Sequence, residues 1–158
     1  MSKPERPHAL ITGGGGGIGL AAAHALAASG VKLTLVGRDA AKIARAAEAV
    51  GGANAISADV TDEAAIKAAF EAAHATHGPI DILINNAGAA PSAPFRDTDL
   101  ALWNATLAVN LTGAFLCARA ALPHMLEAKW GRIVNVASVA GLKGYAYVSA
   151  YCAAKHGL

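Results

Sequence analysis

The chain has 158 residues, 54% hydrophobic and 15% charged, with a formal net charge of +2. That length suits one domain with a real core, and that apolar content excludes intrinsic disorder. Lysines and arginines are scattered without a basic run or face, so no nucleic-acid partner is expected. Cys117 and Cys152 are far apart and lack metal or redox spacing, which fits a reduced, cytoplasmic setting. The histidines carry no metal spacing and no HExxH pattern, so no metal site is expected. Two uncharged stretches bear on the membrane question. His8 to Val31 is broken by the run Gly13 to Gly17, and Leu100 to Ala118 carries Asn104, Thr106, Asn110, Thr112 and Gly113; neither reads as a continuous apolar span. Lys3 and Arg6 precede apolar residues as in a secretory leader, but that leader's core would be mostly glycine, and an N-terminal strand accounts for the residues better.

His8 to Thr12 is a short apolar run halted by glycine, which predicts a buried strand. Ile18 to Ser29 reads as a helix ended by Gly30, and Lys32 to Val36 as a second strand. Asp39 is placed to cap a helix running to about Val50. Ala53 to Ser57 predicts a third strand. Thr61-Asp62-Glu63-Ala64 opens a helix, its acids suiting the helix dipole, that ends near His77-Gly78-Pro79. Ile80 to Ile84 is the fourth strand, followed by Asn85-Asn86-Ala87-Gly88 and a loop with Pro91 and Pro94. A long helix is expected from about Asp99 to Ala128, bent near Pro123. Arg132 to Val136 is the fifth strand, and a last helix starts near Ser149. This alternation predicts an α/β fold, a doubly wound parallel sheet with helices on both faces, forming one Rossmann-like domain over residues 1–158. The strands are apolar almost without a break, as strands buried on both faces are.

The run Thr12-Gly13-Gly14-Gly15-Gly16-Gly17-Ile18-Gly19 falls at the first strand-to-helix turn. Glycines there let the turn tighten and a phosphate approach the backbone, and the helix N-terminus offers free N–H groups to a pyrophosphate. A dinucleotide site is therefore expected. The second strand ends Val36-Gly37-Arg38. Gly37 supplies no acid for a ribose 2′-hydroxyl, whereas Arg38 can pair with a 2′-phosphate, which favours NADP(H) and leaves NAD(H) open. Arg38 also reads as a solvated arginine ahead of a helix. Asp59-Val60 follows the third strand where an adenine ring would rest, and Asp59 reads equally as a loop acid near a helix start.

Tyr151 and Lys155 stand one turn apart on one face of the last helix. A phenol ordinarily titrates at about 10 and serves poorly at neutral pH, but a cation beside it favours the phenolate. The pair reads as a proton-transfer device, although a tyrosine and a lysine at this spacing also occur by chance.

Thr12-Gly13-xxx-Gly17-x-Gly19, Asn85-Asn86-Ala87-Gly88, Asn110, Ser138 and Tyr151-xxx-Lys155 occur in the order and approximate spacing of one family. In these residues, over nearly its whole length, the chain resembles the short-chain dehydrogenases/reductases. The resemblance implies hydride transfer between a nicotinamide cofactor and a ketone or secondary alcohol. Tyr151 would be the general acid and base. Lys155 would lower its pKa and hold the nicotinamide ribose. Ser138 would polarise the substrate oxygen, and Asn110 would position a water linking Lys155 to solvent, or serve a purely structural hydrogen bond. Gly13, Gly16, Gly17, Ile18 and Gly19, with Arg38, Asp59, Val60, Asn86, Ala87, Gly88, Tyr151 and Lys155, would contact the cofactor. Gly16 departs from the pattern, since many NADP-preferring relatives carry a basic residue there. The texture of Ala150 to Gly157, Leu122 to Met125 and Trp130 to Asn135 is most similar to 3-oxoacyl-thioester reductases and 3-hydroxyacyl dehydrogenases. Such relatives are commonly homo-oligomers built on the long helix and the active-site helix.

Leu158 falls one turn after Lys155. Relatives continue through a further strand and a substrate loop, so the expected sheet order is 3-2-1-4-5, with its fifth strand an open edge. An alternative expectation is a truncated, catalytically silent fragment that binds NADPH weakly and turns over little.

Overall fold

The computed structural model describes residues 4–158. Lys3, weighed above as part of a leader, lies outside the described residues. At the centre of the sheet is β1 (His8–Thr12), in which no residue is more than 2% exposed. Its side chains alternate between two apolar layers: Leu10 joins one, Ala9 and Ile11 the other. That alternation is why the run carries no outward polar face.

Parallel neighbours flank it. β2 (Lys32–Gly37) pairs with one edge of β1 and β4 (Ile82–Asn85) with the other. β3 (Asn54–Ser57) adds beyond β2, and β5 (Arg132–Asn135) beyond β4. The resulting order is β3-β2-β1-β4-β5, all parallel. This is the doubly wound, Rossmann-like α/β architecture the alternation predicts.

On one face α1 (Gly17–Ala28) and α2 (Ala40–Ala49) bring Ala23, Ile43, Ala46 and Ala47 onto Ala9, Ile11, Leu33 and Leu35. On the other, α3 (Glu63–His77) and α5 (Gly113–Glu127) bring Ile66, Phe70, Leu116 and Met125 onto Leu10, Val36 and Leu83. Asp39 and Asp62 cap α2 and α3 by accepting the backbone N–H of Lys42 and Ala65.

The long helix is continuous from Leu100 to Glu127, and its α-helical part α4 (Leu100–Leu107) meets α5 through a wide π turn at Ala108–Thr112. Pro123 lies inside α5, where it donates no ladder hydrogen bond, and the π turn is a further irregularity ten residues and more upstream of it. The helix is long and apolar enough to cross a bilayer, yet Leu116, Cys117, Ala121 and Met125 are buried in the core beside the sheet. The last helix, α6 (Ser149–Gly157), packs against α4, the π turn and a short 3-10 turn at Val139–Gly141.

Candidate active site

Four strands end their carboxyl termini on one cavity of about 630 Å³. The lip is the glycine turn after β1, where Gly13 adopts φ 65. A Cβ on Gly13 would lie 2.8 Å from Asn86 Nδ2, and one on Gly19 would lie 2.5 Å from both Asn86 Nδ2 and the Gly13 carbonyl. Only bare backbone fits there. Asn86 fills the space: its Nδ2 donates to the carbonyls of Thr12 at 3.0 Å and Gly13 at 3.1 Å. Thr12 returns the contact, its Oγ1 accepting the backbone N–H groups of Asn86 and Ala87, each at 3.0 Å. Two distant segments thus clamp each other and fix the turn before any ligand arrives.

Gly13, Gly16, Arg38, Asp59, Val60, Ala87 and Gly88 line this cavity. Gly19 is buried and serves the clamp beneath it, as Asn86 does, while Ile18 is 65% exposed and Gly17 opens α1 with φ 55. Asp59 is already engaged, its Oδ1 accepting the N–H and Oγ1–H of Thr61, each at 2.9 Å. Its local role is a turn cap. The Val60 side chain also packs against Gly113.

Asn110 sits in the π turn and is 1% exposed. Its Nδ2 donates to the carbonyls of Ala89 at 2.7 Å and Thr106 at 2.9 Å, and its Oδ1 accepts the Ala89 N–H at 3.2 Å. The wide turn lets the side chain fold back on its own helix while holding the loop after β4. Both amide hydrogens are spent, so the side chain has no donor left for a water.

Lys155 is 7% exposed and donates to the Val136 carbonyl at 2.8 Å. Burial pushes its pKa below the ordinary lysine value. Nζ stands 5.7 Å from the centroid of the Tyr151 ring and would be 3.8 Å from a Cβ on Gly88. Tyr151, Lys155 and Ser138 do not line the cavity; Lys155 Nζ approaches it from behind Gly88, which does. Ser138 caps the 3-10 turn, Oγ accepting the Ala140 N–H at 3.1 Å, and the turn is tied to α6 by close backbone packing of Gly141 on the Lys155 carbonyl.

Two loops flank the pair. The Ala93 N–H donates to the Tyr147 carbonyl at 2.8 Å, and Tyr147 adopts φ 65, a left-handed conformation costly for an aromatic residue. The Tyr145 N–H donates to Cys152 Sγ at 3.3 Å, fastening the same segment to α6. A second cleft of about 580 Å³, between α3 and α5, touches none of these residues.

Sequence reasoning passed over Thr12 and the Val136 carbonyl as site builders. The first sits inside the recognised motif, but its partners are more than seventy residues away; the second is a backbone atom with no signature.

A match to the short chain dehydrogenase family spans residues 7–158. The chain belongs to that family. It is 48% identical over 149 residues to 2-(S)-hydroxypropyl-CoM dehydrogenase 3 of Xanthobacter autotrophicus, covering 92% of this chain and 58% of that one. It is 44% identical over 154 residues to D-beta-hydroxybutyrate dehydrogenase of Cupriavidus necator, covering 95% and 60%. Levodione reductase superposes with a TM-score of 0.92 at 38% identity, covering 96% of this short-chain dehydrogenase and 61% of the solved chain. The chain therefore spans about three fifths of the length of the relatives it matches.

Proposed function

We propose that these 158 residues form the dinucleotide-binding domain of an NADP(H)-dependent oxidoreductase that interconverts a ketone and a secondary alcohol, with Tyr151 as general acid and base. The observation that carries the reading is the closeness of the buried Lys155 ammonium to both Gly88 at the cavity wall and the Tyr151 ring. The cavity suits a dinucleotide, since its lip is glycine backbone locked by Asn86 and Thr12 and it opens at the carboxyl ends of parallel strands. A bound nicotinamide would donate or accept the hydride.

The chain's own groups do the rest. Lys155, held by the Val136 carbonyl, keeps a positive charge near Tyr151 and favours its ionised oxygen. In reduction Tyr151 delivers its proton to the ketone oxygen as charge develops there; in oxidation the phenolate removes the alcohol proton. Ser138 hydrogen-bonds the same oxygen from the turn that packs on α6. Asn110 acts as a positioning residue through the Ala89 loop. Arg38, on the cavity wall, pairs with a 2′-phosphate.

The substrate class is a 3-oxoacyl or 3-hydroxyacyl compound, supported by local sequence texture and by the hydroxybutyrate relative. Homo-oligomers assemble through α5, whose Phe115, Leu122 and Leu126 are exposed by 56%, 44% and 66%. A reducing cytoplasmic setting suits two buried free thiols, one of which, Cys117, is pushed up to about 12 by burial.

The test is a titration of the chain with NADPH and NADH, followed by an absorbance assay against 3-oxoacyl thioesters and simple ketones. The reading expects tighter binding of NADPH and consumption of it with an oxoacyl substrate. Binding of neither cofactor would end it; binding without turnover would match the silent-fragment alternative.

A further inference from the structure

Gly16 carries no side chain where a 2′-phosphate would ask for a cation, yet a cation reaches that place. The first turn of α2 throws Lys42 across the glycine run. Lys42 Cγ and Cδ would lie 3.2 and 3.5 Å from a Cβ on Gly15, and its Cε and Nζ 3.4 and 3.6 Å from one on Gly16. The aliphatic stem lies along bare backbone and the ammonium ends beside Gly16, at the wall of the cavity that Gly16, Arg38 and Lys42 share. Neither Lys42 nor Arg38 has a carboxylate ion-pair partner among the described residues. Asp39 and Asp59 line the same cavity, each with an oxygen taken by a backbone N–H at 2.9 Å, from Lys42 and Thr61 respectively. Neither carboxylate pairs with Arg38 or Lys42, so both cations face the cavity without an ion-pair partner.

We infer that Lys42 is a second specificity-determining residue, which clamps the cofactor 2′-phosphate together with Arg38 and supplies from the neighbouring helix the charge that position 16 lacks. The inference rests on the NADP(H) reading above and deepens it. Arg38 offers a planar fork and Lys42 a compact ammonium, so the two can meet different oxygens of one phosphate. The geometry also gives Gly15 a reason of its own: a side chain there would press into the Lys42 stem at 3.2 Å.

Adenosine 2′,5′-bisphosphate and 5′-AMP carry the phosphate contrast without the nicotinamide, so calorimetric titration of the 158-residue chain tests the inference without turnover. Lys42→Ala is expected to weaken bisphosphate binding by about tenfold and to leave 5′-AMP within about twofold. Lys42→Gln, which keeps most of the stem, should lose as much, because charge rather than packing is removed. Gly16 has φ 174, extended backbone open to any residue, so Gly16→Lys placed in Lys42→Ala should restore the preference. If the wild type prefers the bisphosphate and Arg38→Ala abolishes that preference while Lys42→Ala keeps it, the Lys42 assignment is overturned and the NADP(H) reading stands. If the wild type does not discriminate between the probes, both fall together.

Discussion

Burial disfavours the charged form of two titratable side chains. Lys155 has one named partner, the Val136 carbonyl. His8, at the far end of β1, is 1% exposed and has two. Its Nδ1 meets the Gly78 carbonyl and its Nε2 the Thr34 hydroxyl, each at 2.9 Å, an arrangement a neutral ring satisfies by donating from one nitrogen and accepting at the other. Burial lowers its pKa below the ordinary 6.5, against the pull of the Gly78 carbonyl. The unfolded chain then binds the proton more readily than the folded one, so stability is fully present above pH 6.5 and is lost as pH falls from there through the folded value. Urea midpoints should drop between about pH 7.5 and 5.5, and His8→Gln should flatten that slope. An unchanged slope in the variant would remove His8 as its source. The pairing of Tyr151 with Lys155 was legible in the sequence because helical spacing alone puts them on one face. Lys42 was not, because its charge travels the length of a side chain to reach a glycine on another element.

At the scale of elements, the glycine turn was readable and its lock was not. Composition shows that the chain bends sharply after β1, but the clamp joins Thr12 to Asn86 and Ala87 across sheet neighbours. Gly19→Ala would drive a Cβ to 2.5 Å from Asn86 Nδ2 and the Gly13 carbonyl. Overpacking of this kind costs about 1–3 kcal/mol, and displacing Asn86 breaks the bonds it makes. Chemical denaturation should show a loss of about 3 kcal/mol together with weakened nucleotide binding. Gly144→Ala, facing open space, should stay within about 0.5 kcal/mol. Equal stability of the two variants would contradict the clamp. The π turn escaped sequence reading for a different reason. One extra residue in a helical turn leaves the apolar pattern almost unchanged, and Pro123, the obvious breaker, gives no hint of it. The turn is nonetheless what lets Asn110 reach both Thr106 and Ala89.

Over the whole molecule, the parallel sheet and its order follow from alternation of apolar runs and helices, and the structure has them strand for strand. The consequence for solubility lies at β5. All four of its residues are exposed, and Ile133 and Val134 stand 39% and 49% open beside an edge that has no strand partner among the described residues. Such an edge invites strand pairing between copies. Val134→Lys should lower concentration-dependent light scattering without altering far-UV circular dichroism; scattering that persists would point to the apolar face of α5 instead. The proposed chemistry also belongs to this scale, because it needs the glycine turn and the loop after β4, which line the cavity, set against α6 behind Gly88. The most direct measurement is ketone reduction by these residues joined to the remaining C-terminal part of D-beta-hydroxybutyrate dehydrogenase, compared with its Tyr151→Phe variant. The account predicts a fall in kcat of roughly 10²–10⁴-fold, with NADPH affinity within about twofold. Turnover undiminished in the variant would contradict it.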